Sequence, residues 1–152
     1  ALLEGISNMK TTLVLDPSVC DTLQSDYHLN RYKHFSSWLI QEGYLDSPDN
    51  VTHEVRQLVP HCHQDADELQ QLWNRSSILV EVQKRSCCGQ AGDFAWRHPK
   101  MSTEIFQRSW QGQHQDTDII CGGSCRLQVM NHRNSAHSEL DLIMENLAIP
   151  DI

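Results

Sequence analysis

Positive charge is scarce in this 152-residue chain. Lys and Arg number 12 against 20 Asp and Glu, which leaves a net charge of −8. Nucleic-acid binders carry basic patches, so the balance argues against that class of partner. Long apolar runs are missing as well, and nothing approaches the roughly 18 residues that a membrane span needs. No signal-peptide pattern opens the chain. There is no Gly-rich phosphate loop and no nucleophile elbow, so serine chemistry is not suggested. The opening "ALLEGISNMKTTLVLDPS" has no initiating Met and soon enters a strand, and it reads as a cut piece of a longer protein.

What the chain does have is six cysteines. An even count raises the question of a disulfide framework. A single domain of this length, spanning residues 1–152, buries a core without staples, and nothing points to secretion. The expected location is therefore the cytoplasm. Two of the six, Cys87 and Cys88, are neighbours in "RSCCGQAGDF". Adjacent cysteines rarely bridge each other, because the peptide between them is strained.

Apolar runs and helical spacings alternate along the chain. Strands are expected at Thr11–Asp16, Val55–Pro60, Ser77–Gln83 and Thr117–Ile120. Between them, Leu23, Tyr27, Phe35, Trp38 and Leu39 recur at helical spacing, with Gly43 as a stop. Asp65 to Asn74 predicts a second helix. Pro99 suits a helix start, with Met101, Ile105 and Trp110 as its apolar stripe. Ser124 is the expected N-cap of the next helix, and Leu140, Ile143 and Leu147 mark a last one. This order predicts an α/β domain: three layers, α/β/α, with a mostly parallel sheet of about four strands.

In such a sheet the loops after the strands share the carboxyl edge, where ligands bind. Cys20, Cys62, the Cys87–Cys88 pair, and Cys121 with Cys125 all fall after expected strands. Cys62, Cys87, Cys88 and Cys125 are thus expected to share one site, with Cys20 or Cys121 as a further member. Cys121, which ends a strand, is equally well read as a buried apolar residue. Cys125, placed at a helix start, is expected to favour the thiolate that binds metal. His61 and His63 flank Cys62, and either would suit zinc or a local capping bond.

These residues resemble a known family. "SCCGQAGDF", then 36 residues between Cys88 and Cys125, then "GGSCRLQV" and "HSELDLIMENL", are similar to the cysteine-rich CCG domain. "LDPSVCDTLQSDY" and "HCHQDADELQQLW" extend the likeness over nearly the whole chain. It resembles the C-terminal end of FAD-linked oxidases of the D-lactate and D-2-hydroxyglutarate dehydrogenase type, and more distantly the cysteine-rich component of heterodisulfide reductase. The resemblance implies a four-iron (4Fe-4S) iron–sulfur cluster held by Cys62, Cys87, Cys88 and Cys125. It implies FAD on a flavin domain elsewhere in the parent chain, with electrons passing to a membrane quinone or an electron-transfer protein at the inner membrane. The fragment would then not turn over a hydroxy acid alone. The family's CxxC is absent here, since Gly122 stands three places before Cys125 and Cys121 is one place off. A zinc-binding or metal-free docking domain, or a thiol–disulfide redox site of the heterodisulfide type, remain the alternatives.

Overall fold

The computed structural model describes residues 11–46, 54–110, 118–133 and 135–147. The expectations for the first ten residues and for Thr117 lie outside these. The chain runs β1 (Thr12–Val14), α1 (Pro17–Ser25), β2 (Tyr32–His34), α2 (Phe35–Gln41), β3 (Arg56–Val59), α3 (Ala66–Trp73) and β4 (Val80–Val82). It continues through α4 (Phe94–Arg97), α5 (Pro99–Trp110), β5 (Ile119–Ile120), α6 (Gly123–His132), β6 (His137–Ser138) and α7 (Glu139–Asn146).

Among the described residues every strand pairing is parallel, and the main sheet has the order β4-β3-β5-β6. Side chains alternate across a strand. Leu58 and Ile119 accordingly enter one core, while Val59 and Ile120 enter another. The first core takes Trp38 and Leu39 of α2, Leu69 and Trp73 of α3, and Leu142 and Ile143 of α7. The second takes Phe106 and Trp110 of α5 and Val129 of α6. Helices therefore cover both faces, as the α/β/α reading expects.

The membership of the sheet differs from the expectation. β1 does not join the main sheet but pairs with β2 in a separate two-stranded sheet, with Leu13 opposite Lys33. β2 interrupts the helix expected to run from Leu23 to Leu39. The first helix ends at Ser25, Tyr27 is exposed, and His28 takes a left-handed φ of 55°. The sequence "RYKH" has no apolar run and gives no strand signal. The place left by β1 goes to β6, only two residues long.

Two helix faces are also shifted. In α5 the buried positions are Ser102, Phe106 and Trp110, and Met101 is exposed. In α7 they include Leu142 and Ile143, and Leu140 is exposed. Apolar identity misleads at Ser102 because its hydroxyl is hydrogen-bonded inside, donating to the Gly89 carbonyl at 2.8 Å.

A buried polar cluster ties the small sheet to the main one. Glu139, only 4% exposed, accepts at Oε1 from the Ser36 hydroxyl at 2.8 Å and from the Trp73 indole N–H at 3.2 Å. The other carboxylate oxygen is buried without a hydrogen bond, with His34 Nε2, which serves the Leu15 carbonyl, 3.5 Å away. Buried polar groups need such partners, since an orphan costs about 1–3 kcal/mol.

Candidate functional site

Three loops meet at the carboxyl ends of β3, β4 and β5. The loop after β4 carries Cys87, Cys88 and Gly89. α5 holds it twice: the Trp110 indole donates to the Ser86 carbonyl at 3.0 Å, and Ser102 holds Gly89. Gly89 has φ +80°, and a Cβ there would stand 2.8 Å from the Ser102 carbonyl oxygen. Glycine is needed on both counts. Between the loops after β3 and β5, a Cβ on Gly122 would stand 2.8 Å from the Cβ of His61. The missing side chain lets these loops touch.

The loop after β1 joins the same edge through Asp16. Its carboxylate accepts from the N–H of Ser18 and Val19, capping α1, and from the Gly123 N–H at 2.8 Å, at the start of α6. Ser124 is not the N-cap of α6: Gly122 holds that position, and no side chain of its own serves as cap. Asp16, from a distant loop, does so instead. Burial raises the Asp16 carboxyl, but the bonds from the Ser18 hydroxyl and from the Gly123, Val19 and Ser18 N–H groups outweigh it and hold the pKa below the ordinary value.

The four expected cysteines lie together here as two pairs. Cys88 Sγ and Cys125 Sγ are 3.1 Å apart, both buried against Val59, Phe106 and Val129. Cys62 and Cys87 are exposed at the surface and hydrogen-bond to each other. Neighbouring Cys87 and Cys88 thus face different partners. The Gly89 N–H points at Cys87 Sγ over 3.4 Å, and the Gln90 N–H donates to Cys88.

The charge on the buried pair sits opposite to the expectation. The hydrogen bond between the two sulfurs, despite burial and with the Gln90 N–H, brings Cys88 down to about 7. Cys125 is raised, first by its bond to Cys88 and then by burial and by the other thiols. It is the third residue of α6, not the first. Cys62 is raised by crowding around its sulfur and by Cys87 and Cys88.

Cys121 and Cys20 stand apart from the pairs. Alternation carries Ile119, Ile120 and Cys121 to opposite faces in turn, so Cys121 packs in the first core with Trp38 and Leu142. Burial, together with Glu139 and Asp16, raises it well above the ordinary thiol value. Cys20 lies within α1, 1% exposed, lining a cavity with Lys33 and His34, and is raised to about 11 by burial and by Asp21. His61 uses both ring nitrogens: Nε2 bonds Asp21 Oδ2 at 2.8 Å, and Nδ1 accepts from the His63 N–H at 3.3 Å. It is an anchor between loops, with no nitrogen left for a metal.

Among the described residues, no three His, Cys, Asp or Glu side chains are arranged as a metal-ion group. The donor chemistry nevertheless suits a sulfur-ligated centre: four thiols, one with a lowered pKa, two backbone N–H groups on sulfur and an apolar wall. Two sulfurs on one tetrahedral zinc at about 2.3 Å stand about 3.8 Å apart, and sulfurs on two irons of a cluster stand farther apart still, so the buried pair must open to hold either.

Asp16, Asp21 and Gln90 belong to this edge but carry no metal-ligand signature. "DPS" did hold a signal, since Asp before Pro is a helix-cap pattern as well as a turn.

No protein-family model and no solved structure matches the chain. The chain is 33% identical over 89 residues to a D-2-hydroxyglutarate dehydrogenase of Haemophilus influenzae. That match covers 51% of this chain and 9% of the relative. The likeness to FAD-linked oxidases is thus carried by this relative, over about half of the chain, and the CCG domain itself by the motifs alone. Among the described residues no helix is long and apolar enough to cross a membrane.

Proposed function

We propose that this chain is the iron–sulfur electron-transfer module of an FAD-linked 2-hydroxy-acid dehydrogenase. The observation that carries the reading is the meeting of Cys62, Cys87, Cys88 and Cys125 from two loops and the first turn of α6. The similarity to a D-2-hydroxyglutarate dehydrogenase more than ten times the length matched supplies the oxidoreductase context and leaves room for a flavin domain. These four cysteines would hold a 4Fe-4S cluster, which supplies one-electron transfer between the flavin and an acceptor. This chain's own residues ionise Cys88, donate N–H groups to sulfur from Gly89 and Gln90, and exclude water with Val59, Phe106 and Val129. Hydrogen bonds to sulfur and burial are the levers a protein has on such a centre's potential.

Anaerobic incubation with iron and sulfide, followed by metal and acid-labile sulfide analysis, tests this. A brown protein holding both supports it. A colourless protein that takes up zinc in preference overturns it in favour of a docking domain. The closeness of Cys88 and Cys125 favours one second reading, a thiol–disulfide site in which those two sulfurs bridge. In that case thiols fall by two per chain on oxidation and no iron is taken up.

A further inference from the structure

The run Ser77–Gln83 holds four apolar residues in seven, no Pro or Gly, and one charge, at Glu81. A segment of that kind on an open sheet edge is a template for pairing with another chain. Its strand, β4, does lie at an edge, because among the described residues the main sheet ends there. The opposite edge, β6, is two residues long and offers little to pair with. The inner side of β4 serves β3: the Leu79 carbonyl accepts from the Arg56 N–H at 2.9 Å, and the Gln83 N–H donates to the Leu58 carbonyl at 2.8 Å. Backbone groups alternate sides along a strand, so those of Val80 and Val82 face outward.

Gln70, on α3, meets them there. Its Nε2 donates to the Val80 carbonyl at 3.1 Å, and its Oε1 accepts from the Val82 N–H at 2.8 Å. A residue of a parallel strand bonds its neighbour in this way, through one carbonyl and the N–H two residues on. The Gln70 amide thus stands where a strand residue opposite Glu81 would stand. Its second amide hydrogen goes to Asn74 Oδ1 at 2.8 Å. Three partners therefore fix a long side chain whose rotamer freedom is costly to lose. Lys and Pro, the commoner protections of an edge, are absent from β4.

We propose that Gln70 guards this edge: its amide takes the place of a neighbouring strand and keeps β4 from pairing with β4 of a second copy of this chain. A second copy is the partner that the exposed groups fit. Two-fold pairing about Glu81 sets Val80 of one copy against Val82 of the other, and each pair exchanges both backbone bonds. The guard does not depend on the cysteines or on metal there.

The test is sedimentation velocity of the full chain over a range of concentrations, in reducing buffer so that no disulfide joins copies, with amide hydrogen exchange followed by NMR in dilute solution. In the parent the Val82 N–H should exchange as slowly as that of Gln83, which bonds β3. Gln70→Ala should speed Val82 exchange about tenfold, as the loss of one hydrogen bond implies. It should also sediment faster as concentration rises, where the parent does not. Adding Val82→Pro removes the outward N–H and leaves the bonds to β3 in place, so the double variant should sediment as the parent does. A Gln70→Ala protein with the parent's circular dichroism that associates no more than the parent overturns the proposal. So does association that persists in the folded double variant. A Val82 N–H that exchanges freely in the parent overturns it too, even if Gln70→Ala fails to fold.

Discussion

Cys88 Sγ and Cys125 Sγ stand 3.1 Å apart in a buried pair, and the bond between them is the main cause that lowers the Cys88 thiol to about 7 and raises Cys125. In the metal-free chain, ultraviolet thiolate absorbance should therefore rise in a step near pH 7, and Cys88→Ala should abolish that step. Cys125→Ala removes that bond and leaves burial to act, so the step should move up by about one unit or more. A step near 7 that survives in Cys88→Ala would assign the charge to another thiol.

Asp16 links two helix starts, so its loss should be felt twice. Asp16→Ala should cost about 1–2 kcal/mol in urea unfolding, at the upper end for a cap. The pH dependence has a definite sign. The folded carboxyl is depressed, so its stabilisation is complete above the unfolded value of about 3.9 and is lost as pH falls below it. Between about pH 5 and pH 3 the parent should lose more stability than Asp16→Asn, which has no such proton to gain. Parallel losses in the two proteins would contradict this.

Gly89→Ala places a Cβ at 2.8 Å from a carbonyl oxygen, on a backbone of positive φ. About 1–3 kcal/mol of destabilisation is expected, with the Cys88 thiolate step displaced because the loop must shift. Gly92 also has positive φ, but a Cβ there meets nothing within 4 Å. Gly92→Ala should therefore cost less and leave the thiolate step in place. Equal effects at the two glycines on thermal melting and on that step would remove the packing argument.

Glu139 serves Ser36 and Trp73 from inside the protein. Glu139→Ala leaves the Trp73 indole N–H buried and unpaired, while the Ser36 hydroxyl keeps His34 Nδ1 at 2.8 Å, and urea unfolding should show a loss of about 1–3 kcal/mol. Ser36→Ala removes one of these bonds and should cost about half as much. A near-neutral Glu139→Ala would mean that the cluster does not hold β2 and α2 to the main sheet.

The alternation of apolar runs and helical spacings makes the layered fold legible, and it brings Cys62, Cys87, Cys88 and Cys125 to one edge without any coordinates. The exchange of β1 for β6 is not legible, because His137–Ser138 is two residues long and "RYKH" is polar; only pairing partners make them strands. Cys121 could have been excluded from the sequence. Period two puts it on the face of Ile119, away from Ile120 and the site. The charge on Cys88 could not have been read, since it depends on a bond to a residue of another element and on one backbone N–H. Ser102 shows the same limit, because its role lies in a carbonyl thirteen residues back.

On the proposed function, four of the six cysteines hold one centre. Each cysteine is replaced by serine in turn, and iron and acid-labile sulfide are counted per chain after anaerobic reconstitution. Cys20→Ser and Cys121→Ser should take up iron and sulfide as the parent does. Cys62→Ser, Cys87→Ser, Cys88→Ser and Cys125→Ser should lose most of both while their circular dichroism stays that of the parent. If Cys88→Ser loads as well as the parent, or if Cys121→Ser fails as the four do, the cysteines that meet in this structure are not the ones that hold the centre.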